Sequence, residues 1–118
     1  MKDASKNNTV YRLRLSTQAF EVIIEAIHIL SSRNQRFETL ASVIATGTQL
    51  DEELFSKALL DLSELMPVDG DIKVFLRLTT KSHRAFERFR IALNERGMDS
   101  FGVREAVLAC TLLIAPRN

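Results

Sequence analysis

The stretch YRLRLST at residues 11–17 alternates large apolar side chains with arginines and ends in two hydroxyl residues. The stretch VFLRLTT at residues 74–80 repeats this pattern 63 residues later. Because successive side chains of a strand point to opposite faces, alternation with period two predicts a half-buried strand in each stretch. A Ser or Thr side chain can accept a hydrogen bond from an amide that opens a helix. Each strand is therefore predicted to lead directly into a helix.

The similarity between the two stretches continues along the chain. Residues 11–47 align with residues 74–111 once one residue is inserted before Phe101. In each copy, apolar residues at helical spacing predict a first helix, a polar loop breaks the spacing, and a second helix follows, near residues 37–46 and 101–114. The apolar positions of the two first helices are Phe20, Ile23, Ile24, Ile27 and Leu30, and Ala85, Phe86, Phe89 and Leu93. Strand, helix, helix is thus predicted to be a unit that occurs twice.

The segment between the two copies is acidic. Seven acids and one base lie between Gln49 and Asp71, giving a local charge of −6, and the rest of the chain carries +7. An apolar stripe predicts a bridging helix here, whose opening acids Asp51, Glu52 and Glu53 suit the positive end of a helix dipole. The stripe consists of Leu50, Leu54, Ala58, Leu62 and Leu65, and Pro67 and Gly70 are predicted to end the helix.

These elements predict one domain over residues 1–118, because a chain of this length is enough for a single core. It is divided into a first unit at 9–47, an acidic bridging helix and linker at 48–71, and a second unit at 72–114. A lone strand is not stable in water, and the nearest partner for each strand is its twin. The predicted fold class is therefore mainly α with one two-stranded antiparallel ribbon, whose leucine face packs on four helices.

The amino-acid composition of the chain limits the classes of function that we expect. The chain is 46% apolar and 26% charged with a net charge of +1, as in an ordinary soluble domain. The polar start MKDASKNNT and the absence of a long apolar run predict a cytoplasmic protein without a membrane segment. The single cysteine, Cys110, is predicted to be a small core residue, and His28 and His83 are predicted to be structural. No catalytic motif or ligand cluster is present, so we expect no enzyme activity, no metal and no cofactor.

Three features together resemble the ribbon-helix-helix family of DNA-binding proteins, of the MetJ/Arc type. They are the alternating YRLRLS and VFLRLT before a helix, the loops RNQRF and GMDSF, and the second-helix sequence VREAVLA. The resemblance covers about residues 9–47 and 72–114, and it is closest to single-chain members with two units, such as plasmid-transfer accessory proteins. It implies a tandem ribbon-helix-helix pseudo-dimer that binds specific double-stranded DNA. The implied role is transcriptional repression, or plasmid or phage DNA transfer or partition, in a bacterial cytoplasm.

The outward-facing residues of the two strands are the candidate base contacts. Arginine can donate two hydrogen bonds to guanine O6 and N7, lysine can reach the same acceptors, and an apolar side chain can contact a thymine methyl. The outward residues are Val10, Arg12, Arg14, Lys73, Phe75 and Arg77. Because the two triads differ, the bound site is predicted to be asymmetric. The apolar Val10 and Phe75 depart from the usual pattern of the family.

Phosphate contacts are implied by the resemblance, since in this family the start of the second helix anchors a phosphate through backbone amides. That role maps to Asn34, Gln35 and Arg36 in the first copy and to Ser100 in the second, where Asp99 is predicted to cap the helix. A basic run on the first helix of the second copy either clamps phosphate or is a solvated face in which Arg84 and Arg88 pair with Glu87 or Glu95. The run consists of Lys81, Arg84, Arg88 and Arg90.

Three alternatives remain open at this point. The arginines can be the solvated face of an edge strand, where charge prevents aggregation. A register shifted by one residue would bury Phe75 and expose Leu76. From another class, the chain can be a protein-binding module whose acidic helix recruits a nuclease, a motor or a toxin, with DNA contact secondary. Two chains can also associate on DNA.

Overall fold

The computed structural model describes residues 8–96 and 102–117. This part of the chain is mainly helical with one two-stranded antiparallel sheet, which confirms the predicted fold class at that level. The first half contains strand β1 (Thr9–Leu15) and helices α1 (Thr17–Asn34) and α2 (Leu40–Gly47). A 3-10 turn (Glu52–Leu54) and helix α3 (Phe55–Leu65) follow. The second half contains strand β2 (Ile72–Leu78) and helices α4 (Thr80–Asn94) and α5 (Val103–Ile114).

The two strands form a ribbon with one buried and one exposed face. They run antiparallel with Arg12 opposite Phe75, and the sequence of buried and exposed positions is the same in both. The leucines of the inner face, Leu13, Leu15, Leu76 and Leu78, are all buried. Because Phe75 is 64% exposed and Leu76 is 1% exposed, the register shifted by one residue is wrong.

Each strand leads directly into a helix, as predicted. The Ser16 Oγ accepts a hydrogen bond from the Ala19 amide at 3.1 Å, and the Thr79 Oγ1 accepts one from the Ser82 amide at 3.2 Å. In both cases the first member of the hydroxyl pair is the cap, which leaves the second as the first residue of the helix. The strand-to-helix junctions at residues 16 and 79 are therefore built in the same way.

The second helix of the first half begins later than predicted. It starts at Leu40, not near Phe37, because the Thr39 hydroxyl caps it by accepting from the Ser42 amide at 3.2 Å. Helix α1 ends at Asn34, because the left-handed backbone of the next residue, Gln35 (φ 56°), stops the helical path. Phe37 is fully exposed between the two helices. In the second half α5 begins at Val103, and the predicted start at Phe101 lies outside the described residues.

Helix α5 is the centre of the core. Every residue from 106 to 115 is buried, and α1, α2 and α3 all pack against this helix. Cys110 is a buried core residue as predicted, and burial raises the pKa of its thiol. Helix α2 comes so close to α5 that a Cβ atom at Gly47 would lie 2.5 Å from the Cys110 Sγ. Glycine is therefore required at the point where α2 and α5 touch.

The apolar stripe predicted for α1 is partly wrong. Ile24 is 50% exposed, whereas the small residues Ala19 and Ala26 are fully buried. Helix α1 packs against α5, and small side chains on the contact face let two helices approach closely. The buried stripe of α1 consists of Ala19, Val22, Ile23, Ala26 and Leu30.

The bridging helix is α3, which ends at Leu65, just before Pro67, as predicted. The predicted start of this helix is wrong, because Leu50 and the acids Asp51, Glu52 and Glu53 all precede α3, which begins at Phe55. The predicted stripe is also wrong at Leu54, which lies in the preceding 3-10 turn and is 46% exposed. Asp61 is buried, where both of its carboxylate oxygens accept from the Lys57 Nζ, at 2.6 and 2.7 Å, and Oδ2 also accepts from the Arg117 amide. This acid therefore fastens the C-terminal segment to α3 and is not part of the acidic surface.

Candidate nucleic-acid interface

The outer face of the ribbon carries all six predicted base-contacting residues. Three cross-strand pairs form it, in which Val10 lies opposite Arg77, Arg12 opposite Phe75, and Arg14 opposite Lys73. Every one of these side chains is exposed. The structure thus brings the two triads together on one surface, which we call the outer face.

The cations of the outer face lack carboxylate partners within the described ranges. No ion pair found there involves Arg12, Arg14, Lys73 or Arg77. Arg14 and Lys73 lie directly opposite each other, and like charges at opposed positions of a ribbon repel and destabilise it. A bound anion would relieve this repulsion.

A surface depression of about 440 Å³ lies at the middle of the outer face. It is lined by three cations, by Phe75 and by two apolar residues of the strands. The lining residues are Arg12, Leu13, Arg14, Lys73, Val74 and Phe75. The site therefore offers charged donors beside an apolar ring.

One contact that fixes the ribbon is not predicted by any pattern in the sequence. The Arg104 Nη1, at the start of α5, donates a hydrogen bond to the Arg14 carbonyl oxygen at 3.2 Å. Its Nε contacts the Glu105 Oε2 at 3.4 Å, and Glu105 also accepts from the Gly102 amide through Oε1. Arg104 thus joins the end of β1 to α5. No local pattern predicts a contact between residues so far apart in the chain.

A second set of contacts joins the inner face of the ribbon to α4. The Tyr11 hydroxyl lies 3.0 Å from the His83 Nε2 and 3.4 Å from the Glu87 Oε2. Burial, and after it the charge of Glu87, raises the pKa of Tyr11. Glu87 also pairs with Arg90 at 3.1 Å. No ion pair among the described residues joins Arg84 or Arg88 to Glu87 or Glu95, so that alternative is wrong. These contacts hold β1 against α4, the helix that follows β2.

The predicted phosphate contacts of the first copy do not lie at a helix start. Asn34 is the last residue of α1, and the Gln35 Nε2 donates to the Ser32 carbonyl oxygen at 2.6 Å. The Asn34 Nδ2 and the Arg36 Nε both donate to the Glu38 Oε2, at 2.8 and 2.9 Å. These bonds, with Asn34 first, lower the pKa of Glu38. The mapping of Asn34, Gln35 and Arg36 to a helix start is wrong because α2 begins at Leu40. Ser100 and Asp99 of the second copy lie outside the described residues.

Within residues 8–96 and 102–117, no group of three histidine, cysteine, aspartate or glutamate side chains is placed to hold a metal ion. None of the helices there combines the length and the apolar character needed to cross a membrane. No protein-family model matches the chain, and neither a curated protein nor a solved structure matches it significantly.

Proposed function

We propose that the chain binds double-stranded DNA at specific sequences by placing the outer face of the ribbon in the major groove. The observation that carries the proposal is the charge of this face, where four cations lack a described carboxylate partner and Arg14 lies opposite Lys73. A polyanion supplies the missing negative charge. A two-stranded ribbon is narrow enough for the major groove, which is about 12 Å wide.

In this proposal the chain is a tandem ribbon-helix-helix pseudo-dimer, and the register of the ribbon supports it. Arg12 lies opposite Phe75, which is the residue 63 positions later, and the helix caps Ser16 and Thr79 have the same spacing. Two antiparallel copies related by a two-fold axis must place one position opposite its own equivalent. The observed pairing meets that condition at the centre of the outer face.

Base readout follows from the chemistry of the outer face. Arg12, Arg14 and Arg77 supply paired donors for guanine O6 and N7, and each such pair discriminates against a wrong base by about 1–3 kcal/mol. Phe75 and Val10 supply apolar contacts for thymine methyl groups. An exposed phenylalanine that lies between Lys73 and Arg77 and opposite Arg12 is better explained by such a contact than by a solvated edge strand. Binding of this kind suits a repressor, or an accessory protein of plasmid or phage DNA transfer or partition.

Selection of binding sites from a random pool of duplexes tests the proposal. We expect the selected site to have two different halves, because the triads Val10/Arg12/Arg14 and Lys73/Phe75/Arg77 present different groups. Affinity for the selected site should fall log-linearly with salt, since phosphate contacts release counterions. Recovery of a perfect palindrome would contradict the asymmetric readout, and failure to enrich any sequence would contradict specific binding.

The alternative of a protein-binding acidic helix has weaker support in the structure. Asp61 is buried against Lys57, and Glu52 pairs with Arg96 at 3.4 Å, so part of the segment's negative charge is neutralised within the chain. Apart from the buried Asp61, Glu64 is the one acid on α3. A helix docked in a groove through its apolar stripe would bind its partner with little of the salt dependence expected for DNA.

A further inference from the structure

Two exposed stripes of opposite charge occupy matching positions on α1 and α4. Counted from the caps Ser16 and Thr79, each stripe takes the second, fifth, ninth and twelfth residues, which lie on one face of a helix. The acidic stripe consists of Gln18, Glu21, Glu25 and His28, and the basic stripe consists of Lys81, Arg84, Arg88 and Ile91. All eight side chains are exposed. Each stripe is about 15 Å long, because its first and last residues are separated by ten steps of helix.

Neither stripe is neutralised by a described part of its own chain. None of the ion pairs within residues 8–96 and 102–117 involves a member of either stripe. Glu87, the acid of α4 itself, is held by Arg90 and by the Tyr11 and His83 cluster. Glu52 shares a surface depression with Arg88, but it pairs with Arg96. The stripes therefore present their charge to whatever lies outside the molecule.

We propose that the partner of these stripes is a second copy of this chain, docked head to tail so that the acidic stripe of one copy lies against the basic stripe of the next. Phosphate would account for Lys81, Arg84 and Arg88 but would leave Glu21 and Glu25 without a partner. A second copy accounts for both stripes, which have equal length and opposite sign. The proposal does not depend on base readout, because neither stripe belongs to the outer face of the ribbon.

The charge pattern also fixes the polarity of this assembly. Two acidic stripes repel each other, as do two basic stripes, so symmetric pairing of like helices is disfavoured. Only the contact between α1 and α4 joins opposite charges. Such a head-to-tail contact leaves one free stripe at each end of the pair, and further copies can add in the same direction.

Charge reversal tests the proposal without DNA. One variant is Glu21→Lys/Glu25→Lys, the other is Arg84→Glu/Arg88→Glu, and circular dichroism confirms that both fold, as expected for exposed positions. Sedimentation velocity is measured over a wide concentration range in about 0.01 M salt, where the Debye length is about 30 Å. We expect the parent to associate and each variant alone to associate at least about tenfold more weakly, because opposed charges become like charges.

The decisive sample is an equal mixture of the two variants. One variant then has two basic stripes and the other two acidic stripes, so the mixture should associate again. A parent that stays monomeric, or a mixture that associates no better than its components, would overturn the proposal. If the parent stays monomeric while Arg84→Glu/Arg88→Glu loses affinity for random duplex DNA, the basic stripe faces phosphate instead. Retained site selection in both variants would show that such a failure leaves the proposed function intact.

Discussion

The variant Arg12→Ala/Arg14→Ala/Arg77→Ala is expected to lose its preference for selected DNA over random DNA. Each arginine that makes two hydrogen bonds to a guanine contributes about 1–3 kcal/mol of discrimination. Loss of three such contacts should lower the ratio of the two affinities by about 10²-fold or more, since every 1.4 kcal/mol is tenfold. Fluorescence anisotropy with labelled selected and random duplexes, at one fixed salt concentration, measures this ratio.

The matched control for this variant is Lys81→Ala/Arg84→Ala/Arg88→Ala, which removes the same positive charge from exposed positions outside the ribbon. It should leave the ratio of the two affinities unchanged, because these side chains lie outside the outer face, and any loss of long-range attraction to phosphate affects both duplexes alike. An unchanged ratio in the ribbon variant, with circular dichroism showing both proteins folded, would mean that the outer arginines do not read bases.

The second large effect is expected on stability, from Gly70→Ala. Gly70 lies in the segment between α3 and β2, against the junction of β1 and α1. A Cβ atom there would lie 2.5 Å from the Leu15 carbonyl oxygen, 2.6 Å from the Ser16 Cα and 2.7 Å from the Ser16 nitrogen. All three are backbone atoms at a point where the Ser16 amide also donates to the Val68 carbonyl oxygen at 2.7 Å. We expect a loss of about 1–3 kcal/mol or more in the free energy of unfolding.

Urea unfolding measures this loss, with Gly102→Ala as the matched control. At Gly102 an added Cβ would meet only the Glu105 Oε1, at 3.3 Å, which is the end of a side chain that can move. The control should therefore change the free energy of unfolding far less than Gly70→Ala does. Equal midpoints for Gly70→Ala and the parent would show that the segment before β2 is not fixed against the strand-to-helix junction.

The ribbon could be predicted from sequence because its two determinants are local. Period-two alternation decides which residues face the core, and burying the leucines fixes the register, so Leu76 is buried and Phe75 is exposed. The helix starts at Ser16 and Thr79 also follow from local chemistry, since a hydroxyl placed before an apolar-periodic segment caps its amides. The candidate base contacts on the outer face depend on these same two determinants.

The errors of prediction have long-range or competing causes. The predicted start of α2 near Phe37 is wrong because the helix is capped by the Thr39 hydroxyl, two residues later. Glu38 accepts hydrogen bonds from Asn34 and Arg36 and does not open the helix. Ile24 was assigned to the core of α1 by its hydrophobicity alone. The close approach of α5 buries alanines there, and a sequence pattern does not contain that helix packing.

The contacts that hold the ribbon in place were missed for a similar reason. Arg104 bonds to the backbone of β1, and Tyr11 reaches His83, across most of the length of the chain. Such contacts arise only after the strands and helices have packed together. Neither contact can therefore be predicted from the local sequence around Arg104 or Tyr11.

Insertion of the ribbon into the major groove is the central claim, and modified guanines in the selected site test it most directly. Replacing guanine with 7-deazaguanine removes the N7 acceptor from the major groove, and replacing it with hypoxanthine removes the amino group from the minor groove. We predict that 7-deazaguanine at the contacted positions weakens binding by about 1–3 kcal/mol per arginine contact, whereas hypoxanthine has little effect. Binding that survives 7-deazaguanine but is lost with hypoxanthine would contradict the account.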